Sequence, residues 1–195
     1  AGFCAVCLLC LYQPFMELWV GKDLMLSSSA VICFVVYFFV RQLNSLFNTY
    51  KDASGMWLED RFRPLVAALT NLALNLILVQ FIGLYGILIS TVLAIVCVGM
   101  PWLLHNLFTV IFEKKHLLGY LKKLMYYCCV IFVSSLATYF ICTKVNAGLI
   151  VTLVARGAIC VILPNLIYLL AYYKRIEFTD SLLLVNKMTK GKLRG

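Results

Sequence analysis

The sequence predicts an all-α fold: a polytopic membrane bundle of six transmembrane helices. Three observations carry this: too little charge for a water-facing surface, apolar runs of spanning length, and basic residues that alternate between connections. Of 195 residues, 64% are hydrophobic and 13% charged, and mean hydropathy is +0.97. A soluble domain is about half apolar and about a quarter charged, which excludes a soluble enzyme and a disordered chain alike. At about 20 apolar residues per crossing, the length holds roughly six spans with short loops.

The spans run from about Phe3 to Leu18, Ser28 to Phe47, Leu65 to Ile82, Tyr85 to Leu104, Leu121 to Cys142, and Gly148 to Tyr173. The first opens at Ala1-Gly2-Phe3 without Met or a basic lead segment. It therefore reads as a shortened span inside a longer protein and not as a signal peptide. The second is bounded by Ser and ends in polar residues. The third follows Pro64, a residue suited to a helix start. Gly83-Leu84-Tyr85-Gly86 turns the chain into the fourth. One Lys pair, Lys114-Lys115, precedes the fifth and a second, Lys122-Lys123, lies at its start, and Lys144 separates it from the sixth. Residues 1–173 form one membrane unit, and 174–195 form a basic tail.

Charge sets the orientation, because positively charged loops resist translocation. Lys51, Arg61 and Arg63, then Lys114, Lys115, Lys122 and Lys123, then Lys174, Arg175, Lys187, Lys190, Lys192 and Arg194 fall on one side, thirteen of the seventeen basic residues. Lys22 and Lys144 fall on the other. The formal net charge of +9 thus encodes a cytoplasmic side and needs no nucleic-acid partner. Both ends of the unit are expected in the cytoplasm.

Arg41 and Arg156 remain, inside predicted spans where a charge costs about 2.5 to 3.5 kcal/mol or more unless a wet or protein-lined site receives it. Arg41 lies roughly 20 Å along its helix. Tyr37, Arg41, Asn44, Ser45, Asn48 and Asp52 recur at three- and four-residue steps, giving one polar stripe that reads as a cavity wall. Snorkelling to the interface is the plainer reading of Arg41. Asn71 and Asn75, with Ala67 and Thr70, either line the same cavity or make interhelical hydrogen bonds. Arg156, with Thr152 and Asn165 nearby, either extends the cavity or reaches the outer headgroups. No Asp or Glu lies deep in a span, so a shared cavity would suit an anion such as a pyrophosphate, for which guanidinium offers forked donors.

Signals of enzymatic chemistry are missing. The carboxylates occupy loops and span ends without a DxxD cluster, His105 and His116 lack HExxH spacing, and neither a GxSxG elbow nor a Walker loop occurs. Nine cysteines sit in apolar runs as small hydrophobes, with no disulfide framework. Cys4-x-x-Cys7-x-x-Cys10 has iron–sulfur spacing, but its helical setting offers neither a fourth ligand nor a wrapping loop. No metal or cofactor is expected. Glu59-Asp60-Arg61-x-Arg63-Pro64 reads as a solvated turn or, with Asp52, as a gate at the cytoplasmic mouth.

Tyr50-Lys51-Asp52-Ala53-Ser54-Gly55-Met56-Trp57-Leu58-Glu59-Asp60-Arg61-Phe62-Arg63-Pro64, Asn71-Leu-Ala-Leu-Asn75, Ile82-Gly83-Leu84-Tyr85-Gly86-Ile87 with Ser90-Thr91, and Pro101-Trp102-Leu103-Leu104-His105-Asn106-Leu107-Phe108 resemble bacterial oligosaccharide flippases. These are the Wzx-type polysaccharide transporters of the multidrug/oligosaccharidyl-lipid/polysaccharide exporter superfamily. The resemblance covers roughly the first 115 residues; beyond Lys115 only hydropathy agrees. It implies a parent of about fourteen helices in two lobes, of which these are the last six. It also implies movement of undecaprenyl-diphosphate-linked oligosaccharide from the cytoplasmic to the outer leaflet during capsule, O-antigen or exopolysaccharide assembly. A lone second lobe cannot rock against a missing first one, so activity belongs to the parent. On that reading Arg41 and Arg156 contact diphosphate or acidic sugars, and Asn44, Asn48, Asn71 and Asn75 contact sugar. A multidrug exporter of the same superfamily, a membrane polymerase or ligase of glycan assembly, and a structural subunit are the alternatives.

Overall fold

The computed structural model describes residues 1–145 and 147–188. Its helices are α1 (Gly2–Val20), α2 (Ser28–Ala53), α3 (Arg63–Ile82), α4 (Leu84–Ala94), α5 (Met100–Val110), α6 (Leu117–Thr143), α7 (Leu149–Tyr172) and α8 (Ile176–Met188). A π-helical turn at Ile95–Gly99 fuses α4 and α5 into one span, Leu84–Val110. Six helices are therefore long and apolar enough to cross a membrane, and they coincide with the six predicted runs. The chain is an all-α bundle with the character of a multi-pass membrane protein.

Local chemistry explains the boundaries. Ser27 Oγ accepts from Ala30 N–H at the start of α2. The predicted second span stops at Phe47, whereas α2 runs to Ala53, because its polar last turns are held by side chains described below. Between α3 and α4 the chain reverses at Gly83, whose φ of 55° favours glycine. Three residues on, a Cβ at Gly86 would lie 2.6 Å from the Leu78 carbonyl carbon, so glycine lets these two helices touch backbone to backbone. Pro101 explains the π turn. It has no N–H to donate and its ring crowds the carbonyl four residues back, and widening the preceding turn relieves both.

Packing divides the spans into two halves. α2 lies against α4 and α5, with α3 on α4; α1 lies against α6 and α7, so the first helix joins the last two. The α1–α2 contact connects the halves. Phe47, Met56, Leu103, Leu107 and Phe108 form a core at the basic end, sealed by Leu117, Tyr120 and Leu124 of α6. Val6, Cys10, Cys142 and Cys160 form a second core between α1, α6 and α7. Elsewhere large apolar side chains face outward: on α3, Leu69 is 58% exposed and Leu76 63%. Such a surface is untenable in water and suited to hydrocarbon.

The tail is not wholly irregular. Residues 176–188 form α8, whose Phe178 returns to a groove beside Tyr168 and Tyr172 of α7. Lys190, Lys192 and Arg194 lie outside the described residues.

Candidate functional site

The loop between α2 and α3 is short and strongly polar, yet its central carboxylate is buried: Asp60 is 3% exposed. Arg63 explains this. Its Nε donates to both Asp60 oxygens, at 2.7 and 2.9 Å, and its Nη2 donates to Asp60 Oδ2 at 2.7 Å and to Asn48 Oδ1 at 2.8 Å. Lys51 Nζ lies 3.2 Å from Asp52 and 3.8 Å from Asp60, and 4.4 Å from the centre of the Trp57 ring. From α5, Asn106 Nδ2 donates to the Glu59 carbonyl at 3.2 Å and approaches Asp60 Oδ1 at 3.5 Å. Two cations face two carboxylates, so the cluster is electrically closed. It clamps the last turns of α2, the first of α3 and α5 into one body. Two of the candidate gate residues, Asp60 and Arg63, are thus paired with each other inside the chain. The other two, Asp52 and Arg61, are exposed. Asn48, a candidate sugar contact, is engaged by Arg63.

Just above the clamp is a cleft of about 200 Å³ between α2, α3 and the α4–π span. Small residues make the room: Ala67 and Ala68 on α3, Ala94 and Gly99 about the π turn. Three predicted site residues, Arg41, Asn44 and Asn71, line it together with the inner edge of Arg63. Arg41 rests 5.8 Å from the centre of the Tyr37 ring and has no carboxylate partner among the described residues. Asn44 Oδ1 is buried with no hydrogen-bond partner. Asn71 Oδ1 lies 3.4 Å from Thr91 Oγ1 across the cleft. The wall therefore combines an uncompensated forked donor, a free amide acceptor and a second amide. That is the vocabulary of an oxyanion bearing hydroxylated groups.

Asn75 has a different place. Its Oδ1 accepts from Ser90 Oγ, a hydroxyl wholly buried at the α3–α4 contact, so the geometry there is that of an interhelical hydrogen bond. Arg156 is also elsewhere. It lies on α7, which packs on α1 and α6, and its Nη2 donates to the Val145 carbonyl at 3.2 Å. The pocket that holds Arg41 does not include it. Thr152 binds back to Ala147 at 3.0 Å and Asn165 to Val161 at 2.7 Å, both within their own stretch of chain.

Lys51, Asn106 and Ser90 are not among the site residues that the sequence predicts. Lys51 reads as one more topological charge, and nothing in sequence spacing ties Asn106 to a loop 46 positions away. A wider aromatic groove of about 440 Å³ lies at the basic end, lined by Phe47, Tyr50, Phe108, Phe112, Tyr120 and Lys123.

Fold and site together define an all-α bundle of multi-pass membrane character with an arginine-lined cleft between its helices. No family model, no curated protein and no solved structure matches the chain.

Proposed function

We propose that this chain is the second-lobe part of a flippase for lipid-linked oligosaccharide, residing in the bacterial cytoplasmic membrane with both ends of its six-span unit in the cytoplasm. One observation supports it most: Arg41, itself exposed, lines a cleft between helices that holds no carboxylate, beside a buried Asn44 oxygen that lacks a donor. A diphosphate supplies the acceptor oxygens that Arg41 lacks, and sugar hydroxyls supply the donor that Asn44 lacks. The cleft is only partly enclosed, which leaves room for a head group whose lipid tail stays in the bilayer. On this reading the parent's other lobe forms the opposite wall and rocks against this one; the chain is a transporter, not an enzyme, and needs no cofactor. An exporter of amphipathic cations is disfavoured, since an uncompensated guanidinium repels its cargo.

The test is transport of undecaprenyl-diphosphate-linked glycan by the full-length parent. Arg41→Ala is expected to abolish or severely reduce transport at normal expression, and Arg41→Lys to restore it only in part, because Lys keeps charge but loses the fork. Transport by Arg41→Ala at the parent rate would exclude this role.

A further inference from the structure

We propose that Cys10, Cys142 and Cys160 form a buried binding site for a soft, thiophilic monovalent cation of the Cu(I) class. The three residues come from α1, α6 and α7, and their sulfurs all lie within 4.8 Å of one another. They are 3%, 1% and 0% exposed. With metal–sulfur bonds of about 2.3 Å, the sulfurs of a trigonal site stand about 4.0 Å apart, so small rotations about the Cα–Cβ bonds complete the geometry. Soft thiolate ligands select this class of ion over the hard cations that oxygen ligands prefer.

Buried thiols also serve as packing, so the neighbours decide the matter. Arg156 stands one turn before Cys160 on α7, close enough to act electrostatically on both Cys142 and Cys160. Its Nη2 is committed to Val145, and its Nε is buried without a partner. A guanidinium beside three neutral thiols is an uncompensated charge. Beside a metal–thiolate group it is a counter-ion. Two of the three thiols release their protons to solvent as the ion binds. A monovalent cation on two thiolates carries one net negative charge, which Arg156 cancels, and the third sulfur stays on as a neutral thiol donor. A structural zinc ion asks for four ligands, and among the described residues only these three sulfurs lie mutually within 4.8 Å, with Cys7 packed at the edge of that group.

The cysteine run of α1 supplies a route in. At three-residue steps, Cys4 is exposed, Cys7 partly buried and Cys10 buried, and Cys7 packs against the cluster itself. An ion exchanged from thiol to thiol along that ladder arrives at the trio. The iron–sulfur spacing read in the sequence lacked further ligands because they stand on helices more than a hundred residues away.

The experiment is an anaerobic titration of the full chain in detergent with Cu(I), in competition with a Cu(I) chelator. One equivalent is expected to be retained, with a sulfur-only shell by X-ray absorption. That sulfur-only shell is read on the unmutated chain and requires no variant to fold. Cys142→Ser and Cys160→Ser should each weaken retention by more than about a hundredfold. Arg156→Gln should weaken it about tenfold, the scale of a group acting from behind the ligands. Cys97→Ser, exposed on the α4–α5 span, should change nothing. Loss of all Cu(I) to the chelator, equal retention by the Cys142→Ser/Cys160→Ser pair, or a disulfide within the trio of the freshly purified chain would each overturn the site.

Discussion

In the half built from α2, α3, α4 and α5, buried polar groups meet polar partners from other helices: Arg63 meets Asp60 and Asn48, and Ser90 meets Asn75. In the half built from α1, α6 and α7, one core is built around three cysteines, the buried hydroxyls of Thr138 and Thr152 bond to backbone of their own stretch of chain, and Arg156 meets a backbone carbonyl. Within its long apolar helices each half nevertheless contains a guanidinium whose donors exceed its acceptors among the described residues, Arg41 in the first and Arg156 in the second. A membrane interior makes an unmatched donor costly, so the paired groups report on stability and the unmatched ones on ligands.

The sharpest way to break this contrast is to open the clamp. Arg63→Ala leaves the Asp60 carboxylate buried with only the more distant Lys51 and Asn106 to face it, and removal of one partner from a buried pair costs about 3 to 5 kcal/mol. Thermal unfolding in detergent should show that loss. The Asp60→Ala/Arg63→Ala double variant should recover part of it, because no charge is then stranded. Additive losses would show that the two residues do not act as a pair.

Second in size is the α3–α4 contact. Gly86→Ala places a methyl group into the Leu78 backbone, which cannot move aside as a side chain would, so about 1 to 3 kcal/mol should be lost. Ser90→Ala, one turn along the same seam, should cost only about 1 kcal/mol, since it strands the Asn75 oxygen without a clash. A larger effect for Ser90→Ala than for Gly86→Ala would mean that the hydrogen bond, and not backbone proximity, holds the seam.

How far these features were legible in the sequence depends on the range of the interaction. Hydropathy and charge alternation located all six spans, because burial in hydrocarbon acts on each helix separately. The polar stripe of α2 was visible for the same reason: helical periodicity is local. What the stripe faces was not. Asn44 and Asn48 sit four residues apart on one face, yet one opens to the cleft and the other is held by an arginine fifteen positions on. Arg41 and Arg156 looked equivalent in sequence and prove to belong to different helix groups, since pairing between helices is set by close contacts such as Gly86 on Leu78. The cysteine trio is the extreme case, its members drawn from residues 10, 142 and 160.

The smallest expected effect on stability is the most informative for function. Among the described residues Arg41 meets the ring of Tyr37 and no hydrogen-bond or ion-pair partner, and it lies outside both hydrophobic cores, so Arg41→Ala is expected to strand no partner. Its unfolding free energy should stay within about 0.5 kcal/mol of the parent chain, or rise slightly as an intramembrane charge is removed. That places it opposite Arg63→Ala, a substitution of the same residue type on the rim of the same cleft. If Arg41→Ala were as damaging to unfolding as Arg63→Ala, Arg41 would be a structural cation whose partner lies within the chain, and the distinction between matched and unmatched guanidinium groups would fail. If stability holds while ligand handling is lost, the cation is kept in the membrane for what it binds.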